Sequence, residues 1–233
     1  MKSYTHHFSS FRYLLSILII GHVYVGHAQN LVPNYSFETF TTCPTTYEGL
    51  CFNYAPPWSC PTSGSSDLFN SCGNPSMAGV PNNAIGSQLA NTGEGYAGFI
   101  CFWPSINNYR EYITAPLTAP LIAGEWYYVS FFISLADSGC GVENVGAHFS
   151  TSPIFQPQIT TLMLDPQVEN TTGMINDNQG WVFIGGCFQA AGGEAYITIG
   201  NFYNDSETPL DPDCSSSAYN YFYIDDVSVV QGA

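Results

Sequence analysis

Basic residues are almost missing from this chain. Its 233 residues hold 3 Lys and Arg against 18 Asp and Glu. Lys2 and Arg12 fall within residues 1–28, so Arg110 is the one strong base beyond them. No acid lies in that first stretch, and the remainder carries 1 − 18 = −17 with His neutral. Such a surface repels phosphate backbones and anionic headgroups, which excludes general nucleic-acid binding and attachment to an anionic membrane surface. Histidine is scarce too. Only His148 lies beyond residue 28, and no CxxC pair occurs, so a zinc site has little to build on. GxSxG and HExxH are absent. The acids stand mostly singly in loops, without a spacing that reads as an acid–base pair, which leaves a polysaccharide-active hydrolase as a secondary alternative. Helical periodicity and internal repeats are lacking as well.

What is present describes an exported β protein. Residues 1–28 have a basic start, a largely apolar run over 13–25 that His22 interrupts, and the small-x-small triplet Gly26-His27-Ala28. This pattern predicts a signal peptide cleaved after Ala28, with the mature chain starting at Gln29. All eight Cys (43, 51, 60, 72, 101, 140, 187 and 214) lie beyond it, and an even count in an exported chain reads as a set of disulfides. Charged residues make up 9 % and aromatics 15 % of the chain, a folded domain rather than an acidic disordered tail.

Strand patterns recur from end to end. Residues 31–38, LVPNYSFE, read as a first edge strand that tolerates Pro33. Residues 39–91 read as a long loop, rich in Pro, Gly, Ser, Thr and Asn and braced by its Cys. Strands are predicted over 96–102, 110–114, 126–135, 145–150, 181–190 and 195–202, the last two joined as a pair by a turn at Gly192-Gly193. In WYYVSFFISL, residues 126–135, the odd positions Tyr127, Val129, Phe131, Ile133 and Leu135 are wholly apolar and must face the core. The even face carries Trp126, Tyr128 and Phe132, and cover by the long loop is expected there. A single domain over 29–233 follows, an all-β, two-sheet antiparallel sandwich of the jelly-roll kind.

Residues 219–230 read as the closing strand. Strict alternation puts Asp225 on one face with Tyr223, Val227 and Val229, hence toward the core. A carboxylate there needs a cation, an ion pair or hydrogen-bond donors, and a structural calcium is the first candidate. Asp205, Glu207, Asp211 and Asp213 lack the order of an EF-hand loop and read as a solvated loop. For a ligand, Trp58 and Trp103 lie in loops and are candidate platforms, with Tyr96 and Tyr109 behind them. Trp126 and Trp181 begin core strands and read as structural. Arg110 either clamps a carboxylated ligand or pairs with one of the many acids.

An ordered series of motifs resembles a known module. It runs from residues 30–38 and Cys43-Pro44 through Asp67-Leu68-Phe69-Asn70-Ser71-Cys72, Val80-Pro81-Asn82-Asn83 and Gly95-Tyr96-Ala97-Gly98. It continues with Arg110-Glu111-Tyr112-Ile113, Ser134-Leu135-Ala136-Asp137-Ser138 and Gly192-Gly193-Glu194, and closes with Ile199-Gly200-Asn201-Phe202 and Tyr223-Ile224-Asp225-Asp226-Val227. Together these resemble an exported envelope module of gliding-type Gram-negative bacteria, often found ahead of OmpA-like or type IX sorting domains. The resemblance implies a galactose-binding-like jelly roll, the fold of many carbohydrate-binding modules. It implies a non-catalytic role at the cell surface, outside the cell or in the periplasm, with a glycan or an envelope protein as partner. A structural or adhesion subunit without a small ligand is the alternative. It also implies a Ca²⁺ held by Glu38 and Asp225, with Asn34 and Asp226 as weaker ligands, and a Cys43–Cys72 disulfide. The alternative for the acids is that Asp225 accepts loop amides and Glu38 pairs with Arg110.

Overall fold

The structure, a computed structural model, describes residues 1–2, 29–46, 49–51, 53–215 and 219–232. The leader expected over 1–28 therefore lies almost wholly outside the described residues. Among those described there are nine strands: β1 (Asp67–Asn70), β2 (Gly95–Phe102), β3 (Tyr112–Pro116), β4 (Trp126–Leu135), β5 (Gly146–Ser150), β6 (Val168–Glu169), β7 (Val182–Gln189), β8 (Tyr196–Gly200) and β9 (Asn220–Gln231). One 3-10 turn, Asp205–Glu207, is the only helical element among them. The strands form two antiparallel sheets, β1-β2-β9-β4-β7 and β3-β8-β5-β6. This is the expected all-β, two-sheet sandwich.

The core lies between the sheets and is built by alternation. From the five-stranded sheet come the odd residues of β4, namely Tyr127, Val129, Phe131, Ile133 and Leu135, with Ala97 and Phe99 of β2 and Ile184 of β7. From the four-stranded sheet come Ile113, Ala115, Ala147, Phe149, Ile197 and Ile199.

Apart from the two-residue β6, four features differ from the sequence expectation. Residues 31–38 form turns rather than an edge strand, because Asn34 and Phe37 both take positive φ. The segment instead ties itself to β9 through single bonds, Leu31 N to Val229 O and Val227 N to Tyr35 O. β1 lies inside the expected long loop and pairs with β2 over Asp67↔Gly98 to Asn70↔Gly95. β7 and β8 do not pair. They belong to different sheets, so the Gly192-Gly193 turn carries the chain across the sandwich. Both glycines have positive φ, and the Glu194 carboxylate accepts the amides of Ala191 and Gly192 to hold the corner.

β9 is the fourth. Its register against β4 slips between Ser130↔Ser228 and Phe132↔Asp225, where Asp226 adopts φ 51°. That β-bulge inserts one residue and inverts the alternation. Phe222 and Ile224 face the core before it, and Val227 and Val229 face the core after it. Asp225 thus shares the outer face with Tyr221 and Tyr223, not the core face that unbroken alternation implies.

A second, smaller core covers part of that outer face. Phe69, Tyr96, Tyr221 and Tyr223 cluster there with Ala78 and Ala136, under Val80, Ile85 and Trp181. Beyond it the sheet is open: Trp126 is 53 % exposed, Tyr128 36 % and Phe183 45 %. The cover expected over the even face of β4 therefore reaches Ser134, which is fully buried, but not the Trp126 end.

Candidate functional site

The connection from β2 to β3, residues 103–111, crosses from one sheet to the other, and Arg110 fixes its course. The guanidinium is fully buried, pairs with Asp205 at 2.8 Å, and donates to the carbonyls of Tyr203 and Tyr109 and to Thr208 Oγ1. It also sits 5.8 Å from the centroid of Phe102. The ion-pair reading of Arg110 describes its place, and none of its described contacts leaves it facing a ligand.

With the connection pinned, its side chains meet the outer face of β1, β2 and β9 around a cavity of about 430 Å³. The walls are Trp103, Tyr109, Tyr219, Tyr221, Ile85 and Ile100, and the polar lining is Ser65, Asp67 and Glu111. Trp103 stands edge-on to Tyr109, centroids 5.1 Å apart, with the tilted Tyr219 ring at 6.1 Å. Gly98 makes room for the floor. A Cβ there would lie 2.5 Å from the Tyr221 hydroxyl and 2.9 Å from the Phe69 ring.

Both carboxylates are anchored. Glu111 Oε1 accepts from Ser65 N at 3.0 Å, Ser65 Oγ at 3.1 Å and the Tyr109 hydroxyl at 2.7 Å, while Oε2 accepts from Ile100 N at 2.9 Å. Burial nevertheless pushes the Glu111 carboxyl above its ordinary value, since these donors only partly replace lost water. The Tyr221 hydroxyl donates to Asp67. Burial, and then the neighbouring Asp67 charge, push that phenol far up, so it stays a protonated donor. Burial and the Glu111 charge do the same to Tyr109.

Of the residues read from sequence as ligand-binding, the structure brings Trp103 and Tyr109 to this cavity. Trp58 is fully buried, packs on Phe37 with centroids 5.1 Å apart, and donates its indole to Asn34 O, so it is a core residue. Tyr96 is equally buried in the second core, its hydroxyl bonded to Gln88 O. Sequence reasoning missed Asp67, Glu111, Tyr219 and Tyr221. The available signal was weak: Asp67 and Glu111 stand inside the recurring motifs but 44 positions apart (111 − 67). Only the strand order brings them together.

The acids proposed to hold calcium gather at a different place, between the N-terminal segment, β9 and residues 91–95. Asp225 accepts from Ser36 Oγ, Asp226 N, Asn91 N and Thr92 N. Asp226 accepts from Asn91 Nδ2 and Thr92 Oγ1, both at 2.6 Å. Glu38 accepts the amides of Glu94 and Gly95 rather than pairing with Arg110. Asn34 uses its side chain on Thr39, through both N and O, and on Pro56 O. Calcium requires six to eight oxygens aimed at one point. Here the carboxylates are met largely by N–H donors, which carry no lone pair for a cation. Among the described residues no group of three or more His, Cys, Asp and Glu side chains forms a metal site. In this arrangement loop amides and hydroxyls satisfy the acids read as calcium ligands. Burial, then the Asp226 charge, raise the Asp225 carboxyl from 3.8 to about 7.

Three disulfides are formed: Cys43–Cys72, Cys51–Cys60 and Cys140–Cys214. Cys101 and Cys187 are free, which departs from the full pairing expected of an even count. They stand on β2 and β7 with two strands between them. Three strand spacings make about 14 Å, well beyond disulfide reach.

No family model and no curated protein matches the chain. Among solved structures, the CBM22-1 xylan-binding domain from Paenibacillus barcinonensis Xyn10C is 14 % identical, with 88 % of this chain and 95 % of that one covered at a TM-score of 0.46. The K1 cleaved adhesin domain of Lys-gingipain from Porphyromonas gingivalis W83 is 12 % identical, with 85 % and 96 % covered at a TM-score of 0.42. The CBM22-1 and GH10 modules of Clostridium thermocellum xylanase 10B, complexed with xylohexaose, are 12 % identical, with 86 % and 29 % covered, also at 0.42. Likeness this distant says nothing of what the present chain binds.

Proposed function

We propose that this chain is a non-catalytic, exported binding module whose outer-face cavity takes a short stretch of glycan. One observation carries the reading: two anchored carboxylates, Asp67 and Glu111, lie among the rings of Trp103, Tyr109, Tyr219 and Tyr221 in a cavity of about 430 Å³. Aromatic rings stack on the apolar faces of sugars, and carboxylates accept from their hydroxyls. A few fixed polar groups within a mostly apolar wall is the usual make-up of a small-ligand site. The three disulfides suit an oxidising compartment, in keeping with work at the cell surface or outside the cell.

The same contacts favour binding over hydrolysis. A general acid must give its proton to the leaving oxygen and a partner must attack or activate water. Glu111 has both oxygens engaged by four donors, and Asp67 is held by Tyr221. Calorimetric titration with a panel of soluble oligosaccharides tests the reading. At least one should bind, with affinity falling about tenfold or more in Trp103→Ala, the cost expected for loss of a stacking ring. Release of reducing ends from any of them would return the site to the hydrolases.

A second reading rests on the open half of the five-stranded sheet. Trp126, Tyr128 and Phe183 form an exposed aromatic strip, which favours a protein partner, as an adhesion subunit would need. Stable recovery of an envelope protein that depends on Trp126 would support it.

A further inference from the structure

The cavity has acceptors at its polar end and almost no positive charge near it. The Ser65 and Tyr109 hydroxyls both donate to Glu111, and the Tyr221 hydroxyl donates to Asp67. Their hydrogens are spent on the carboxylates, so what these groups offer a ligand is lone pairs. The donors that hold Glu111, the amides of Ser65 and Ile100 and the two hydroxyls, are all neutral. Arg110, next in sequence, turns its guanidinium away to Asp205, Tyr203 and Thr208. Around this polar end stand four aromatic rings, Trp103, Tyr109, Tyr219 and Tyr221. The electron-rich faces of such rings attract a cation by about 0.5–2 kcal/mol.

We propose, resting on the glycan reading above, that the sugar this cavity selects is a cationic amino sugar, one whose ring nitrogen substituent is a free ammonium rather than an acetamide. An ammonium supplies three donors to a lining that offers acceptors. It brings a positive charge to buried carboxylates and to ring faces, and the strongly negative chain raises its local concentration. A uronic acid or sialic acid would bring a second carboxylate against Asp67 and Glu111 with no base to answer it, and is rejected. An acetamido or plain hydroxyl group satisfies the hydrogen bonds but not the charge.

The test uses the whole mature chain and three tetrasaccharides of the same linkage: fully deacetylated glucosamine, its N-acetylated form, and the neutral glucose form. They are titrated by calorimetry at moderate salt into the wild type and Trp103→Ala. The expected result is binding of the deacetylated form about tenfold or more tighter than the other two, with that advantage lost in Trp103→Ala. This variant keeps the net charge, and an unchanged melting temperature shows it folded. Asp67→Asn, which removes one charge from the cavity, should narrow the same gap. Equal or tighter binding of the N-acetylated or neutral form overturns the charge preference while leaving the glycan reading standing. An advantage that survives both Trp103→Ala and Asp67→Asn undiminished shows attraction by the overall charge and overturns the cavity as its source. Absence of binding by all three at millimolar concentration overturns this inference, and silence across the wider oligosaccharide panel as well removes the glycan reading under it.

Discussion

Burial of Asp225 and Glu111 couples the stability of the fold to pH. Each carboxyl holds its proton to higher pH in the folded chain than in the unfolded one: Asp225 moves from 3.8 to about 7, and Glu111 moves in the same direction. Between those limits the folded state binds more protons, so this contribution to stability falls as pH rises through the window. The melting temperature should be higher at pH 5 than at pH 8. Asp225→Asn should flatten part of that slope. It should also lower stability at pH 5 by about 1–3 kcal/mol, because the amide nitrogen, unlike a protonated carboxyl oxygen, can accept from neither Ser36 and Asp226 nor Asn91 and Thr92. Gly98 poses a steric test. An added methyl meets the Tyr221 hydroxyl and the Phe69 ring, so Gly98→Ala should push Tyr221 off Asp67. Glycan affinity should then drop about tenfold in titration calorimetry, alongside a loss of about 1–3 kcal/mol in denaturant melts.

At the scale of elements, β4 was fully legible, since five apolar odd positions in a ten-residue run leave one orientation open. β9 was legible as a strand and misleading as a pattern. Asp226 in the left-handed region is a local event that no alternation reveals, and it moved Asp225 to the opposite face. β1 and β6 were invisible because four and two residues give too short a period to detect. β7 and β8 looked like a hairpin because a Gly-Gly turn is the same in sequence whether it closes a hairpin or turns a sandwich corner. The cavity was half legible: its loop aromatics Trp103 and Tyr109 could be named, but its carboxylates come from β1 and from the residue just before β3, which only the fold unites. Strand placement also separates the two free thiols. Cys101 is fully buried, whereas Cys187 points outward from the edge strand β7. Burial raises the Cys101 thiol beyond reach of ordinary titration. A chromogenic thiol reagent should therefore titrate one cysteine promptly in the native protein and a second only after unfolding. Prompt reaction of two would contradict the topology.

For the whole molecule, charge and cross-links act together. An excess of acids on one sandwich raises self-repulsion, and three disulfides, one of them spanning 74 residues, offset part of that cost by restricting the unfolded chain. Calcium was the other candidate stabiliser. Since the carboxylates of Glu38, Asp225 and Asp226 are met by loop donors, melting with and without EGTA should give the same temperature; a drop of several degrees in EGTA would restore the ion. The remaining question for the molecule is which surface meets its ligand, and the four tryptophans report on it. Trp58 and Trp181 have their indole N–H bonded to Asn34 O and Leu89 O, while Trp103 lines the cavity and Trp126 stands on the open sheet. The most direct measurement is a ¹H–¹⁵N spectrum of the indole region during titration with the deacetylated glucosamine tetrasaccharide. The Trp103 signal, identified by its loss in Trp103→Ala, should shift with saturation while Trp58 and Trp126 stay in place. Movement of Trp126 with Trp103 unmoved would contradict the assignment of the cavity as the binding site.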